Sequence, residues 1–325
     1  MFRWKDQKTP MLCLAPMEGY TDSSYRQMIK MVAPKTICYT EFTSADGLKY
    51  GSAKGFQKIE FKETERPLIA QIFGHDAEVF AEIVPILEDM GVDGIDINMG
   101  CPSGKVVNSC NGSALLKFPE LAQELVYAVQ NNTKLDVSIK MRIGFGDYDL
   151  QTFLKFVKGV EEAGAKHIAI HGRTTKQKYT GFADWNPAYE AKKNLSIPVT
   201  GNGDIRSVQD VKDKIGNLDG VMVGRATYGN PWLMGEIQSY FEGTEFTRPQ
   251  TFEEKIPMII KQCELATEFK GERVGMLEMR KHLANYIHGV RGASQFRFRL
   301  VRVETLDDAK QILEEVRQAI IDEEQ

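Results

Sequence analysis

Gly94-Ile95-Asp96-Ile97-Asn98-Met99-Gly100-Cys101-Pro102 joins an apolar, β-branched run to a tight Gly-Cys-Pro turn. A run of this kind predicts a strand buried on both faces, as in a parallel sheet covered by helices. The turn sets one thiol at the strand's C-terminal end, the rim where α/β folds bind ligands. A cysteine there is either a small buried hydrophobe or a reactive group, and its neighbours decide which.

Working outward, seven more runs read as strands: Met11–Leu14, 36–39, 68–72, 137–141, His167–His171, 197–200 and Gly220–Val223. Helical spacing fills the gaps. Phe80, Ile83, Val84 and Leu87 share one face, as do Leu150, Phe153, Leu154, Val157 and Val160. Asp76, Pro119 and Asp149 stand where helices start. Eight strands alternating with helices predict an α/β fold, a (β/α)8 TIM barrel, typically about 250 residues. A doubly wound open sheet is the rival, but no Gly-x-Gly-x-x-Gly follows the first strand. From Thr244 onward strand runs thin out, and 256–270, 273–290 and 305–321 read as helices. The expected organisation is a barrel over 1–243 and a smaller all-helical domain over 244–325.

The 325 residues are 42% hydrophobic and 26% charged, which is ordinary for a globular protein. No apolar run is long enough to span a membrane, and the first ten residues lack a signal-peptide core, so a cytoplasmic protein is expected. Five scattered cysteines (Cys13, Cys38, Cys101, Cys110, Cys263) make neither a disulfide framework nor a metal-ligand cluster. Nothing in the sequence signals an obligate protein partner.

Polar residues gather at the strand ends: Pro16-Met17-Glu18 after the first strand, Gln71 in the third, Asn98 and Cys101 at the fourth, Lys140 and Arg142 in the fifth, His171-Gly-Arg173 at the sixth. The last two strands run into Gly201-Asn202-Gly203-Asp204 and Gly224-Arg225-Ala226, placed as the phosphate-binding loops of many barrels are. A lysine within an apolar strand is costly unless it meets a partner or cofactor. Gln71 offers both a donor and an acceptor, as a heteroaromatic edge requires. His171 suits a donor to a carbonyl; His167, at the start of the same strand, reads as structural. Together these residues describe a site for a flat heterocycle with a phosphate tail. FMN fits this, and spacing alone leaves a phosphosugar open.

The segments Ala15-Pro-Met-Glu-Gly-Tyr-Thr-Asp22, Gln71–Gly74, Asn98-Met-Gly-Cys-Pro-Ser-Gly-Lys105, Lys140-Met-Arg142, His171–Thr174 with Tyr179–Trp185, Gly201–Asp204 and Gly224–Ala226 occur in this order at strand ends. In this the chain resembles the tRNA-dihydrouridine synthases over nearly its whole length. The resemblance implies an FMN-dependent, NADPH-driven reduction of the C5=C6 bond of uridine in tRNA, with NADH the other possible reductant. It implies that Cys101 is the general acid and that Asn98, Lys105, His171 and Arg173 contact substrate. It also implies that Pro16, Met17, Gln71, Lys140, His171, Asn202, Gly203, Asp204, Gly224 and Arg225 contact FMN. Cys110 lies outside the Gly-Cys-Pro motif and is expected to be structural or incidental. A dihydroorotate- or dihydropyrimidine-dehydrogenase-like enzyme acting on a free pyrimidine is the alternative.

Net charge is −4, yet its distribution is uneven. Arg280, Lys281, Arg291, Arg297, Arg299 and Arg302 fall in a 23-residue tract without an acid, whereas the next 23 residues hold eight Asp/Glu. A basic face of this kind, with Lys176 and Lys178 beside the barrel mouth, suits RNA phosphates. Phe296 and Phe298 alternate with arginines, a pattern read as an extended segment that docks rings into the core or stacks them on bases.

Overall fold

The computed structural model describes residues 1–107, 109–287, 290 and 293–324, the side chains of Lys105, Glu323 and Glu324 apart. Its nine strands are β1 (Met11–Leu14), β2 (Cys38–Tyr39), β3 (Thr43–Ser44), β4 (Leu68–Phe73), β5 (Gly94–Met99), β6 (Asp136–Arg142), β7 (His167–His171), β8 (Val199–Asn202) and β9 (Gly220–Val223). All eight expected runs are present. The addition, β3, is two residues long and pairs with β4, too short to carry a periodic signal.

Every pairing is parallel, in the order β1-β9-β8-β7-β6-β5-β4-β2. The ring closes where Ile37 bridges to β1: Leu14 N donates to Ile37 O and Ile37 N to Leu12 O, both at 2.9 Å. This is the expected (β/α)8 TIM-barrel type. Trp4, Met11, Cys13, Ile37, Tyr39, Ile69, Ala169 and Met222 pack together inside it. Because side chains alternate between faces, Gln71, two residues beyond Ile69, and His167 and His171, on either side of Ala169, share that interior. Trp4 stacks on His167 at 3.8 Å, burial pulls the imidazole down to about 3, and Nε2 meets Thr200 Oγ1 at 3.2 Å. His167 is a neutral core residue, as expected.

The helices are α1 (Ser23–Val32), α2 (Ala45–Lys49), α3 (Ala53–Ile59), α4 (Ala77–Asp89), α5 (Gly104–Val107), α6 (Pro119–Asn131), α7 (Leu150–Glu162), α8 (Asn186–Asn194), α9 (Val208–Lys214), α10 (Trp232–Glu242), α11 (Phe252–Lys270), α12 (Glu272–Tyr286), α13 (Ala293–Leu300) and α14 (Leu306–Glu324). The start signals hold. Asp76 caps α4 by accepting from Glu78 N and Val79 N, Asp149 caps α7 by accepting from Thr152 N at 2.7 Å, and Pro119 opens α6. The apolar faces of α4 and α7 are buried at Phe80, Ile83, Val84 and Leu87, and at Phe153, Val157 and Val160.

The chain divides into two compact units, 1–18 with 35–224, and 19–34 with 225–325. The helical unit by this division takes in α1, which packs on α10 and α11, and its C-terminal stretch runs from Arg225. Within it, Lys270 lies between Asp22 and Glu278, 2.5 Å from each. Burial pushes the Asp22 carboxyl up, but the Lys270 ammonium and the Ser24 hydroxyl outweigh it and hold the group below its usual range. This pair ties the loop before α1 to the end of α11. The expected extended segment around Phe296 is instead α13. In a helix Phe296 and Phe298 point apart, so Phe296 is buried with Leu300 one turn on, while Phe298 is exposed.

Candidate active site at the Cys101 turn

β5 ends by delivering Asn98 to the rim. The side chain of Asn98 folds forward: Oδ1 accepts from Gly100 N at 3.0 Å and Cys101 N at 2.9 Å. On the other side of the peptide, Ser113 donates to Cys101 O through its amide (3.2 Å) and its hydroxyl (2.9 Å). Both peptide groups flanking the Cys101 side chain are thereby pinned. Gly112, at φ +59°, lies behind it, where a Cβ would come within 3.1 Å of Cys101 O and 3.2 Å of Cys101 Cβ. The cysteine is partly exposed, and burial raises its thiol above the ordinary value despite the nearby Arg142 and Lys140 charges. The proton therefore stays on sulfur at neutral pH.

Asn98 connects inward. Its Nδ2 donates to Gln71 Oε1 at 2.8 Å; Gln71 Nε2 donates to Asp96 Oδ2 at 2.7 Å; Ser138 Oγ donates to Asp96 Oδ1 at 2.6 Å. The strand registers Gln71↔Asp96 and Asp96↔Ser138 bring these side chains together. Gln71, Asp96 and Ser138 have no exposed surface. Gln71 thus already commits one N–H and its carbonyl oxygen to Asp96 and Asn98, where the sequence suggested a wholly free amide edge.

Lys140 pairs in register with Asn98 and reaches Asn202 Oδ1 at 3.2 Å, while Asn202 Nδ2 donates to Met222 O at 2.7 Å. Burial, reinforced by Arg142, pulls the Lys140 ammonium down to about 8, and Asp96 and Cys101 oppose the shift. Arg142 is buried and clasps two loops: Nε donates to Gly100 O at 2.9 Å, and NH1 to Thr174 O and Lys178 O at 2.9 and 2.8 Å. It ties the Cys101 turn to the basic loop beside it.

Arg173, expected to contact substrate, is engaged within the protein. It is 2% exposed, pairs with Asp204 through two contacts at 2.7 and 2.9 Å, and donates to Thr180 O and Gly181 O. Asp204, expected at the cofactor, is held by that pair and by Ala183 N at 2.8 Å. Burial would raise this carboxyl; Ala183 N–H and Arg173 bring it below the usual range. Above the two arginines the loop exposes Lys176, Lys178, Tyr179 and Phe182. His171 is buried with Nε2 3.4 Å from Arg173 NH1, and Gly203 lies against it. Pro16 and Met17 are partly exposed, and Met17 packs on the barrel core. Gly224 faces Ala15 and Met17, and Arg225 is exposed and opens the second unit.

The basic tract of the helical unit is largely engaged. Arg280 donates to Val303 O and Arg302 O, Arg299 pairs with Glu315, and Arg302 lies 3.6 Å over the Phe298 ring. Lys281 sits 5.3 Å from the Tyr20 ring centroid, Arg297 is half-buried, and Arg291 lies outside the described residues. Lys105 is on α5, its side chain outside those described. Cys110 is exposed and Cys13, Cys38 and Cys263 are buried. Sequence reasoning missed Asp96, Gly112 and Ser113 as supports of the turn. Only Asp96 left a signal, a charge within an apolar strand.

The model of the family described as "Dihydrouridine synthase (Dus)" matches residues 13–324. The chain belongs to the dihydrouridine synthase family. It is 33% identical over 304 residues to the probable tRNA-dihydrouridine synthase 1 of a Synechocystis strain, covering 93% of this chain and 84% of that one. It is 34% identical over 296 residues to tRNA-dihydrouridine synthase B of Pseudomonas syringae pv. tomato, covering 90% and 87%. Among solved structures, morphinone reductase matches with a TM-score of 0.53 at 11% identity, covering 78% of this chain and 91% of that one. Histamine dehydrogenase from Rhizobium sp. 4-9 matches at 0.54 and 14%, over 78% of this chain, which spans about half of that longer protein (48%). These two likenesses establish the barrel fold of this dihydrouridine synthase. Among the described residues, no helix is long and apolar enough to cross a membrane.

Proposed function

We propose that this enzyme reduces the C5=C6 bond of uridine in tRNA to 5,6-dihydrouridine in the cytoplasm, with FMN as its bound cofactor and NADPH as reductant. The observation that carries the reading is the Cys101 turn: a protonated thiol on a peptide pinned from both sides, one strand from the Lys140 cation. The residues fit a flavin phosphate. Gly203 has φ +126°, and a Cβ there would come within 2.6 Å of Ala183 Cβ and 3.0 Å of His171 Cδ2, so the turn after β8 requires glycine, as the phosphate-binding loops of many barrels do. Gly203, Asn202 and Gly224, with Arg225 following in the chain, would hold the phosphate; Pro16, Met17, Lys140 and His171 would line the ring.

When bound and reduced by NADPH, FMN would supply the hydride that C6 of the uracil receives. Cys101 then delivers the proton to C5, completing the reduction, and its burial keeps that proton in place until needed. The Lys140 ammonium stabilises negative charge developing in the site. Asn98 retains one N–H for the uracil edge, and its first task is holding the Cys101 peptide. The names of the relatives support tRNA as the substrate. On this chain the exposed Lys176 and Lys178 beside Tyr179 and Phe182 provide charge for phosphates and rings for bases. A folded tRNA must yield its uridine to the site, which costs about a few kcal/mol that such contacts offset.

The test is anaerobic incubation of the flavin-loaded protein with NADPH and tRNA lacking dihydrouridine, with free uridine and orotate in parallel. Dihydrouridine in the tRNA alone supports the proposal. Reduction of only the free pyrimidine moves the enzyme to nucleotide metabolism.

A further inference from the structure

We propose that Asp96 is a positioning residue that fixes which way round the amides of Gln71 and Asn98 sit, and through them the peptide that carries Cys101. This rests on the role proposed above for Cys101. An ionised carboxylate has acceptors only, whereas a side-chain amide has a donor end and an acceptor end and can present either. Starting from Asp96, the choice is forced at each step. Gln71 must turn its NH2 to Asp96 Oδ2 (2.7 Å), which leaves Oε1 for Asn98. Asn98 must then turn Nδ2 to Gln71 (2.8 Å), which leaves Oδ1 as the acceptor for Gly100 N and Cys101 N. With Asn98 reversed, N–H would face N–H at both contacts and the turn would lose its anchor.

Solvent offers Gln71 and Asp96 no alternative partner, because both are fully buried, and Asn98 is only 5% exposed. A carboxylate is also an expensive group to bury; burial raises Asp96 to about 6, and the Ser138 and Gln71 hydrogen bonds only partly offset it. A neutral residue would be cheaper here. What it would lack is a fixed direction, and a buried polar residue that selects one arrangement is a recognised use of such costs.

The test uses the full-length, flavin-loaded protein and three variants: Asp96→Asn, Gln71→Glu and the double variant. Two quantities are read: turnover on tRNA, and the rate at which iodoacetamide alkylates Cys101, resolved from Cys110 by peptide mass. Flavin content and the melting temperature are measured alongside. Asp96→Asn offers either end of an amide to Gln71, so turnover should fall about ten- to a hundred-fold, as expected for a displaced reacting group, and the alkylation rate should change. Gln71→Glu sets two buried carboxylates together and should fall further. In the double variant the acceptor-only group has moved to position 71 and accepts from both neighbouring amides, so Asn98 again presents its oxygen to the turn. Turnover and alkylation rate should return most of the way to wild type. A double variant no better than Asp96→Asn, or an Asp96→Asn protein with both readouts unchanged, overturns the proposal. If a single variant does not fold, the double variant, which keeps the charge and the atom count, decides alone. Were the wild type inactive on tRNA, the proposed function would fall while the Cys101 alkylation rates still judged the positioning role.

Discussion

The Cys101 turn and the tract from Arg280 to Arg302 are both dense in polar groups, and they use them differently. Beneath the turn, hydrogen bonds run from the peptide of a partly exposed thiol through Asn98 and Gln71 to Asp96, which also accepts from Ser138. In the tract, Arg280 holds the carbonyls of Arg302 and Val303, Arg299 pairs with Glu315, and Arg302 covers Phe298. The first arrangement fixes the peptide of a thiol, as the proposed proton delivery requires. The second closes loops and pairs helices. A cluster of charge is thus no measure of charge available to a ligand, and the smaller pair Lys176 and Lys178, exposed above Arg142 and Arg173, is the better candidate for RNA phosphates.

If that contrast is right, removing charges from the helical unit should cost stability. The largest effect is expected at Lys270→Met, which strands Asp22 and should destabilise by ~3–5 kcal/mol in denaturant melts. A loss below 1 kcal/mol would show that water reaches the pair. Arg280→Ala should follow at ~1.5–3 kcal/mol, the range for hydrogen bonds from a charged donor, with the salt dependence of tRNA binding unchanged. A flattened salt dependence would return Arg280 to the RNA surface. Lys176→Ala with Lys178→Ala should do the opposite: no shift in melting, but a slope of log affinity against log salt reduced by about one per lysine. The smallest effect belongs to the half-exposed Arg299–Glu315 pair, where a double-mutant cycle should give a coupling of at most ~1 kcal/mol.

Two pH dependences sharpen the barrel side. Because Lys140 sits near 8, turnover should fall above that pH as the ammonium is lost, while the thiol, raised above its ordinary value, keeps its proton. An alkaline limb absent until well above 9 would contradict the Lys140 role. Asp96 is raised to about 6, facing Lys140, Tyr39 and Cys13 as well as its hydrogen-bond partners. The fold therefore binds this proton more tightly than the unfolded chain does. Stability from this group is present below about 4 and lost as pH rises through 6. Wild type should gain stability relative to Asp96→Asn as pH falls from 7 to 5; parallel curves would show that Asp96 is not a strained charge.

The barrel was legible because each strand is an apolar run bounded by capped helices, a signal local enough to read from residues such as Asp76, Pro119 and Asp149. The position of the thiol was legible for the same reason: a strand end followed by Gly-Cys-Pro has one place to go. What the sequence hid was long-range pairing. Arg173 finds Asp204, 31 residues on, and Cys101 O finds Ser113 through a returning loop. Alternation of Phe296, Arg297, Phe298 and Arg299 carries a strand's period, yet the segment is helical, since burying Phe296 and Leu300 one turn apart outweighs local preference.

The proposed chemistry turns on whether the Cys101 turn delivers the proton to uridine. The most direct measurement reduces the flavin of wild type and Cys101→Ala anaerobically with NADPH, then follows flavin reoxidation on adding tRNA lacking dihydrouridine. Expected are equal flavin content, rapid reoxidation in wild type and a rate about 10²- to 10⁴-fold lower in the variant, the range for losing a general acid. Equal rates in the two proteins would contradict this role of Cys101.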